Sequence, residues 1–139
     1  MPLGATRNTF VVGAGLIGCE TALYLAKKGR NVTIAGGRRL AHDMVWGNAL
    51  DLLKQLDDHE VKILTNHRIL RITEMGAESA AHRFETESIV LAVGMNSIQK
   101  ITVEELEKEI PEVYAIGDCV SPRHVMSAIW EGYRKARLI

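Results

Sequence analysis

The stretch from Phe10 to Glu20 reads Phe-Val-Val-Gly-Ala-Gly-Leu-Ile-Gly-Cys-Glu. Its first three residues are apolar without alternation, which is typical of a strand covered on both faces. Apolar residues then recur at helical spacing, and Lys27 and Lys28 precede Gly29, a combination that ends many helices. We therefore predict a buried strand, a glycine-rich turn and a helix that stops before Gly29.

The glycines of the turn, Gly13, Gly15 and Gly18, have the spacing G-x-G-x-x-G. In this pattern the first glycine permits the tight turn, the second lets the backbone approach a pyrophosphate, and the third lets helix and strand pack closely. The start of the helix offers N–H groups and a positive dipole end to phosphates. Because a predicted strand precedes the pattern and a capped helix follows it, we predict a dinucleotide-binding turn rather than a chance glycine-rich turn.

A second strand, predicted over Asn31–Ala35, completes a β-α-β unit and bears on the choice of cofactor. An NAD-selective site usually has an Asp or Glu at the end of this strand, ~20 residues beyond the glycines, to bind the ribose 2′-hydroxyl. This chain has no carboxylate there, and two small residues and two arginines follow, namely Gly36, Gly37, Arg38 and Arg39. Guanidinium groups suit a 2′-phosphate, so we predict NADP(H) in preference to NAD(H). The alternative is a solvated loop in a domain with mixed or NAD preference.

The middle of the chain continues to alternate between helical and strand patterns. A helix is expected over Met44–Leu56, with an apolar side of Val45, Ala49, Leu52, Leu53 and Leu56. Further strands are expected over Val61–Leu64, over Leu70–Thr73 with one exposed face, at Arg83–Glu85 as an edge, and over Ser88–Val93 as a buried strand ending at Gly94. Glu74–Ala81 is predicted to be a featureless turn.

The last third of the chain contains two helix-start patterns. Thr102 and Glu105 have capping-box spacing, which predicts a short acidic helix ended by Pro111. Val113–Ile116 is predicted as a final strand, and Ser121 before Pro122 is the expected N-cap of a last helix.

Composition excludes several function classes. The chain has 139 residues, 47% of them hydrophobic, and its 17 basic and 17 acidic residues cancel. Balanced charge argues against a nucleic-acid partner, and no apolar run approaches the ~18 residues of a membrane span. Two cysteines without C-x-x-C spacing favour a reducing, cytoplasmic setting, with Cys19 as a packing residue. The five histidines lack metal-ligand spacing, so we predict no metal site. The chain has no G-x-S-x-G elbow and no P-loop, so we expect a bound cofactor to supply any catalysis and no residue of the chain to act as acid, base or nucleophile.

Three segments together resemble a known family. They are the glycine-rich turn, Leu91-Ala92-Val93-Gly94, and Val113-Tyr114-Ala115-Ile116-Gly117-Asp118. In this order they resemble flavoproteins of the pyridine nucleotide–disulfide oxidoreductase type. The tail from Ser121 to Tyr133 resembles the carboxy-terminal part of 2,4-dienoyl-CoA reductases, 2-enoate reductases and trimethylamine dehydrogenase. The expected fold is α/β, a Rossmann-like three-layer domain with a mostly parallel central sheet and a short antiparallel meander.

The resemblance also implies binding roles. It implies that Gly13, Gly15, Ile17 and Gly18 line the cofactor's pyrophosphate and approach the nicotinamide, and that Ala14 and Leu16 of the same turn also bind the cofactor. Glu20 matches a family glutamate near the nicotinamide, the alternative being an ordinary exposed helical residue. Val93 and Gly94 would line the cofactor cleft. Asp118, after Gly117, matches an aspartate that binds the ribityl chain of FAD, the alternative being a simple turn residue.

Compared with the family pattern, the chain shows no earlier FAD-type glycine motif, no FMN barrel and no iron–sulfur cysteines. We therefore expect a fragment: 1–9 as leader, 10–112 as the NAD(P)H-binding domain, and 113–139 as a strand and helix that complete an FAD-binding domain in the full-length enzyme. The segment 74–87 is shorter than the family's meander. The fragment alone is expected to be inactive and not to hold FAD tightly.

The parent enzyme is expected to pass hydride from NAD(P)H to FAD and to reduce enoyl or dienoyl substrates, with FMN and an iron–sulfur cluster elsewhere. Expected partners are the dinucleotide, the FAD and barrel domains, and a second copy of the chain in a homo-oligomer, with no nucleic acid and no membrane. Two alternatives stay open: a non-catalytic module that binds ADP, and a structural or interface domain.

Overall fold

The computed structural model describes residues 7–98 and 102–139. The chain divides into two compact units, one ending at Gly94 and the other beginning at Met95. The first unit contains, in order, β1 (Asn8–Val12), α1 (Leu16–Lys27), β2 (Asn31–Ala35), α2 (Trp46–Asp58), β3 (Lys62–Leu64), β4 (Ile69–Thr73), β5 (Gly76–Ser79), β6 (Arg83–Glu85) and β7 (Ser88–Leu91). The second contains α3 (Val103–Leu106), a 3₁₀ turn (Gly117–Cys119) and α4 (Val125–Ala136).

The first unit has the α/β architecture that the sequence predicts. Four strands form a parallel sheet in the order β3-β2-β1-β7, and three form an antiparallel sheet in the order β4-β5-β6. One face of the parallel sheet carries a core with α1 and α2, built from residues such as Val11, Cys19 and Leu56. The other face carries a second core, in which Phe10 and Val12 pack with Ala77 of β5. The three layers are thus helices, parallel sheet and antiparallel sheet.

The prediction of a featureless turn over Glu74–Ala81 is wrong, because Gly76–Ser79 forms β5, the central strand of the antiparallel sheet. Gly, Ala, Glu and Ser are weak strand formers, so the sequence gives little local signal. The strand is stabilised by pairing with a neighbour on each side. Ala77 is opposite Ile72 of β4 and Phe84 of β6, and it is 1% exposed.

Three predicted strands and helices differ at their edges. The second helix begins at Trp46, so Val45 is its N-cap. Val45 is exposed and, contrary to the prediction, does not belong to the apolar side of the helix. In β4 a register irregularity after Ile69 turns that residue to the core, whereas Leu70 and Ile72 are exposed. β7 ends at Leu91, two residues before the predicted end, and it is an edge strand that pairs only with β1 among the described strands. Leu91 and Val93 are exposed, so the predicted burial does not extend to the end of this segment.

Two predictions for the second unit are also wrong. Val113–Ile116 is not a strand, since no strand among the described residues pairs with it. The last helix begins at Val125 with His124 as its N-cap, because Ser121 is held in the preceding turn by a hydrogen bond from its N–H to the Gly117 carbonyl. The capping box of Thr102 and Glu105 is present as predicted. None of the helices formed by residues 7–98 and 102–139 has the length and apolar character needed to cross a membrane.

Candidate functional site

The glycine-rich turn lies where the carboxyl ends of the parallel strands meet. β1 ends at Val12, with β2 on one side and β7 on the other. The chain leaves β1 through α1 to β2 and later returns to the opposite side as β7, so the strand order reverses between β1 and β7. Open α/β sheets bind ligands outside the carboxyl ends of their strands at such a reversal. This edge of the sheet is therefore the candidate site.

Two glycines of the turn are fixed by close backbone contacts. Gly13 has a φ of 111°, and a Cβ atom added to it would lie 2.1 Å from the carbonyl oxygen of Ala92. A Cβ on Gly18 would lie 1.9 Å from the carbonyl oxygen of Gly13. The first glycine thus makes the turn beside the end of β7, and the third brings α1 against β1, as the spacing predicts.

The residues between these glycines form the start of α1. Ala14 is buried, Leu16 is half-buried and Ile17 is 55% exposed. Gly15 is the N-cap of α1, and its carbonyl accepts the Cys19 N–H. Being a glycine, it has no side chain that could cap the helix. The first N–H groups of a helix have no partner within the helix, so those at the start of α1 need acceptors from outside it.

The segment Gly36–Arg39, predicted to bind the ribose 2′-phosphate, follows β2 beside this turn. A Cβ on Gly36 would lie 2.4 Å from the Ala14 Cβ, so the two loops touch. The loop after β3 holds the segment in place: the N–H groups of His67 and Asn66 donate to the carbonyls of Gly36 and Gly37, each at 3.1 Å. Arg38 and Arg39 are exposed, and neither guanidinium is in an ion pair within the described residues.

Asp43 is a residue of this site that the sequence analysis did not select. The Leu16 N–H donates to its Oδ1 at 2.7 Å, so a carboxylate sits at the start of α1. Nearby, the Ala41 N–H donates to the Ala14 carbonyl at 2.7 Å, and Ala41 is buried. The segment after β2 therefore folds back onto the glycine-rich turn. The contact joins residues 27 positions apart, so no local pattern in the sequence announces it.

Cys19 is fully buried on α1 and its Sγ lies 3.5 Å from the Ala14 carbonyl oxygen. Burial raises the pKa of its thiol, and the negative charges of Asp43 and Glu20 act in the same direction. A neutral buried thiol is a packing group, as the sequence analysis predicts.

The remaining predicted site residues of the first unit are Glu20, one turn along α1 from Leu16, and Val93 and Gly94, which follow β7. Glu20 is exposed on α1 and lines a groove of about 670 Å³ between α1 and α2, together with Tyr24, Met44 and Asp51. Val93 and Gly94 follow β7 and are exposed. The Ala92 N–H donates to the Val12 carbonyl at 2.7 Å, which keeps this segment beside the glycine-rich turn.

Gly117 and Asp118 belong to the second unit, where a network of charged groups fixes their 3₁₀ turn. The Gly117 N–H donates to Glu131 Oε2 at 2.7 Å, and the other oxygen of Glu131 pairs with the Arg123 guanidinium. The Arg123 N–H in turn donates to Asp118 Oδ1 at 3.3 Å. The Gly117 N–H and the Arg123 guanidinium hold the pKa of Glu131 below its usual range. Glu131 and Arg123 are thus structural partners of the turn that the sequence analysis did not place in a site.

The structure therefore gathers the glycine-rich turn, the Gly36–Arg39 segment and Val93–Gly94 at one edge of the first unit. Among residues 7–98 and 102–139, no group of three His, Cys, Asp or Glu side chains is arranged to hold a metal ion.

Comparison with known sequences gives three findings. A model of the pyridine nucleotide-disulphide oxidoreductase family matches residues 1–132. The nitric oxide reductase FlRd-NAD(+) reductase of Vibrio vulnificus is 30% identical over 138 residues, which cover 85% of this chain and 36% of that protein. The cinnamate reductase of Clostridium sporogenes is 31% identical over 148 residues, which cover 96% of this chain and 21% of that protein.

Among solved structures, 2-naphthoyl-CoA reductase in complex with 2-naphthoyl-CoA is similar, with a TM-score of 0.83 and 28% identity. The similarity covers 99% of this chain and 22% of that one. The chain spans well under half the length of each of these relatives.

Proposed function

Because the chain belongs to the pyridine nucleotide-disulphide oxidoreductase family, we propose that it binds a nicotinamide dinucleotide at the carboxyl edge of its parallel sheet. In this proposal the domain holds the nicotinamide for hydride transfer to FAD within a flavoprotein reductase. The observation that carries the proposal is the glycine-rich turn at the point where the strand order reverses, with α1 starting directly behind it.

The residues at this edge fit the phosphate part of such a cofactor. The turn from Gly13 to Gly18 provides backbone N–H groups at the positive end of a 12-residue helix. We propose that Gly13, Ala14, Gly15, Leu16, Ile17 and Gly18 line the pyrophosphate. We propose that Val93 and Gly94, which follow β7 and are exposed, line the cofactor cleft at the same edge.

We further propose that the cofactor is NADP(H) in preference to NAD(H). Gly36 lets this loop pack directly against Ala14, and nothing lies within 4 Å of a Cβ added to Gly37. Arg38 and Arg39 present two exposed guanidinium groups directly after β2. Guanidinium groups bind phosphates by charge and paired hydrogen bonds, whereas an NAD-selective site would need a carboxylate here. The name of the Vibrio vulnificus relative mentions NAD(+), so this preference depends on the two arginines of the chain itself.

The other roles follow from the family. Glu20, exposed one turn along α1 from Leu16, is proposed to lie near the nicotinamide end. Gly117 and Asp118 are proposed to contact the ribityl chain of FAD in the full protein. A bound nicotinamide supplies the hydride chemistry, and the chain's own residues bind and orient it; preorganised positioning is then the domain's contribution to catalysis.

The substrate class of the parent enzyme is proposed from two relatives. Cinnamate reductase and 2-naphthoyl-CoA reductase are named for unsaturated, conjugated substrates. We propose that the parent enzyme likewise reduces an enoyl or dienoyl substrate at a site outside this chain.

Calorimetric titration of the chain with NADPH, NADH and ADP tests this proposal. We expect NADPH to bind more tightly than NADH, and the variant Arg38→Ala/Arg39→Ala to lose about 1.5–3 kcal/mol of NADPH affinity per charge-assisted contact removed while NADH affinity is unchanged. The control Lys54→Ala/Lys62→Ala removes the same charge from exposed positions on α2 and at the start of β3, and should bind all three ligands like the unaltered chain.

Each other outcome has a definite meaning. Equal binding of NADH and NADPH that is indifferent to the arginines contradicts the preference but leaves the dinucleotide site in place. ADP bound as tightly as the whole dinucleotide favours a nucleotide module without hydride transfer. Absence of binding by all three ligands contradicts a dinucleotide site that is open in the unaltered chain.

A further inference from the structure

The start of α1 already has an anionic partner within the chain. Asp43 Oδ1 accepts the Leu16 N–H at 2.7 Å. Its carboxylate also faces Gly15: a Cβ on Gly15 would lie 3.3 Å from Oδ2 and 3.5 Å from Oδ1. One carboxylate therefore contacts both the first helical N–H and the side of Gly15 on which any other residue would carry its Cβ.

This is the space that the middle glycine of G-x-G-x-x-G keeps clear for a pyrophosphate. A carboxylate and a pyrophosphate are both anions that accept hydrogen bonds, and both are stabilised by the positive end of the helix dipole. Either group can therefore accept hydrogen bonds from the N–H groups at the start of α1. The two anions also repel one another at short distance, because two negative charges would share one helix start.

The segment that carries Asp43 is held on the turn by backbone contacts, while the side chain itself is exposed. We call residues 40–44 the strap. The Ala41 N–H donates to the Ala14 carbonyl at 2.7 Å, and the Met44 N–H donates to the Ala41 carbonyl at 3.0 Å. Ala41 is buried and has a φ of 46°, a left-handed conformation that is uncommon for alanine. Asp43 is exposed, so its carboxylate can rotate into solvent while the strap stays in place.

We propose that Asp43 competes with the dinucleotide's pyrophosphate for the start of α1, so that cofactor binding requires its carboxylate to leave. Asp43 is then an affinity-determining residue of the site. This inference rests on the proposed function, because it assumes that the pyrophosphate binds at the glycine-rich turn.

The test compares the unaltered chain, Asp43→Asn and Asp57→Asn in calorimetric titrations with NADPH and with ADP. Asp43→Asn removes the charge and keeps the shape and an oxygen that accepts the Leu16 N–H. Asp57→Asn removes the same charge from the exposed end of α2. We expect Asp43→Asn to bind both ligands about two- to fivefold more tightly, the usual strength of a charge at a helix start, and Asp57→Asn to bind like the unaltered chain.

A second measurement on the unaltered chain covers the case in which Asp43→Asn does not fold. The side-chain carboxyl ¹³C resonance of Asp43 should shift when ADP is added, because the carboxylate loses its bond to Leu16. A ligand-dependent shift of the Ile17 amide without a change at Asp43 would overturn the proposal.

The outcomes separate this inference from the proposed function. If the unaltered chain binds NADPH and Asp43→Asn binds it equally or more weakly, Asp43 is not a competitor and the dinucleotide site stands. If only Asp43→Asn binds, both proposals are supported, since removing the charge opens the site. If neither binds either ligand, both are overturned.

Discussion

Gly18 is the residue at which the backbone leaves least room. An added Cβ would lie 1.9 Å from the Gly13 oxygen and 2.9 Å from the Gly13 carbonyl carbon. Neither atom can move without shifting β1 or the turn, so Gly18→Ala must push α1 away from the sheet. We expect a loss of about 1–3 kcal/mol in the free energy of unfolding, the usual cost of overpacking, measured by urea denaturation. Nucleotide affinity should fall in parallel.

Gly47→Ala is the matched control, because nothing lies within 4 Å of an added Cβ at that position on α2. It should leave stability unchanged or raise it by up to about 1 kcal/mol, since alanine is the better helix former. Equal destabilisation by both substitutions would contradict the close approach of α1 to the turn.

These single residues show what the sequence could reveal and what it could not. The glycines were predictable because their spacing is a local pattern with a mechanical cause. The role of Asp43 was not predictable, because its partner Leu16 is 27 positions away. In addition, an aspartate in a loop is often only a solvated surface residue. Contacts of this kind become visible only when the fold brings two loops to the same edge of the sheet.

At the level of helices and strands, the turn of Gly117 and Asp118 depends on the ionisation of Glu131. Its pKa lies below the usual range, first because of the Gly117 N–H and then because of the Arg123 guanidinium. The folded-state pKa is lower than the unfolded one, near the ordinary value of 4.5. The ionised carboxylate therefore stabilises the fold above that pH, and this contribution is lost as the pH falls through the lower, folded pKa.

We expect an NMR titration of the Glu131 carboxyl carbon to show a midpoint below 4.5. Arg123→Ala should raise that midpoint part of the way towards the ordinary value, because the bond from the Gly117 N–H remains. Arg137→Ala, which removes a guanidinium from the end of the same helix, should leave it unchanged. A midpoint at the ordinary value in the unaltered chain would show that the network does not form in solution.

The same elements show where secondary structure could be predicted. The capping box at Thr102 was recognisable because both of its partners lie within four residues. Ser121 before Pro122 has an equally good local pattern, yet Ser121 belongs to the turn at Gly117 and α4 starts at Val125. The predictions for β5 and for residues 113–116 were wrong in opposite directions for one reason. A strand forms by pairing with neighbouring strands, and the sequence of one segment does not contain those neighbours.

For the chain as a whole, burial is concentrated in the first unit. Every buried apolar side chain among the described residues lies between Phe10 and Ala77, and α4 has no buried residue. Hydrophobic burial is the main favourable term in folding, so the parallel sheet and α1 should carry most of the stability. Length, composition and the α/β pattern predicted such a core, but not that it would end before the last third of the chain.

Helices α1 and α4 provide a matched pair for testing this distribution, since each has 12 residues. α1 buries Gly18, Cys19, Ala22 and Leu23, whereas Ile129 and Trp130 of α4 are more than half exposed. Amides of α4 should therefore open locally and exchange about a hundredfold or more faster than those of α1, measured by hydrogen exchange on the intact chain. Equal protection of both helices at every protein concentration would contradict this distribution.

Protection of α4 that rises with protein concentration would instead show that a second copy of the chain covers the apolar side of α4. Ile129→Glu should then abolish that rise.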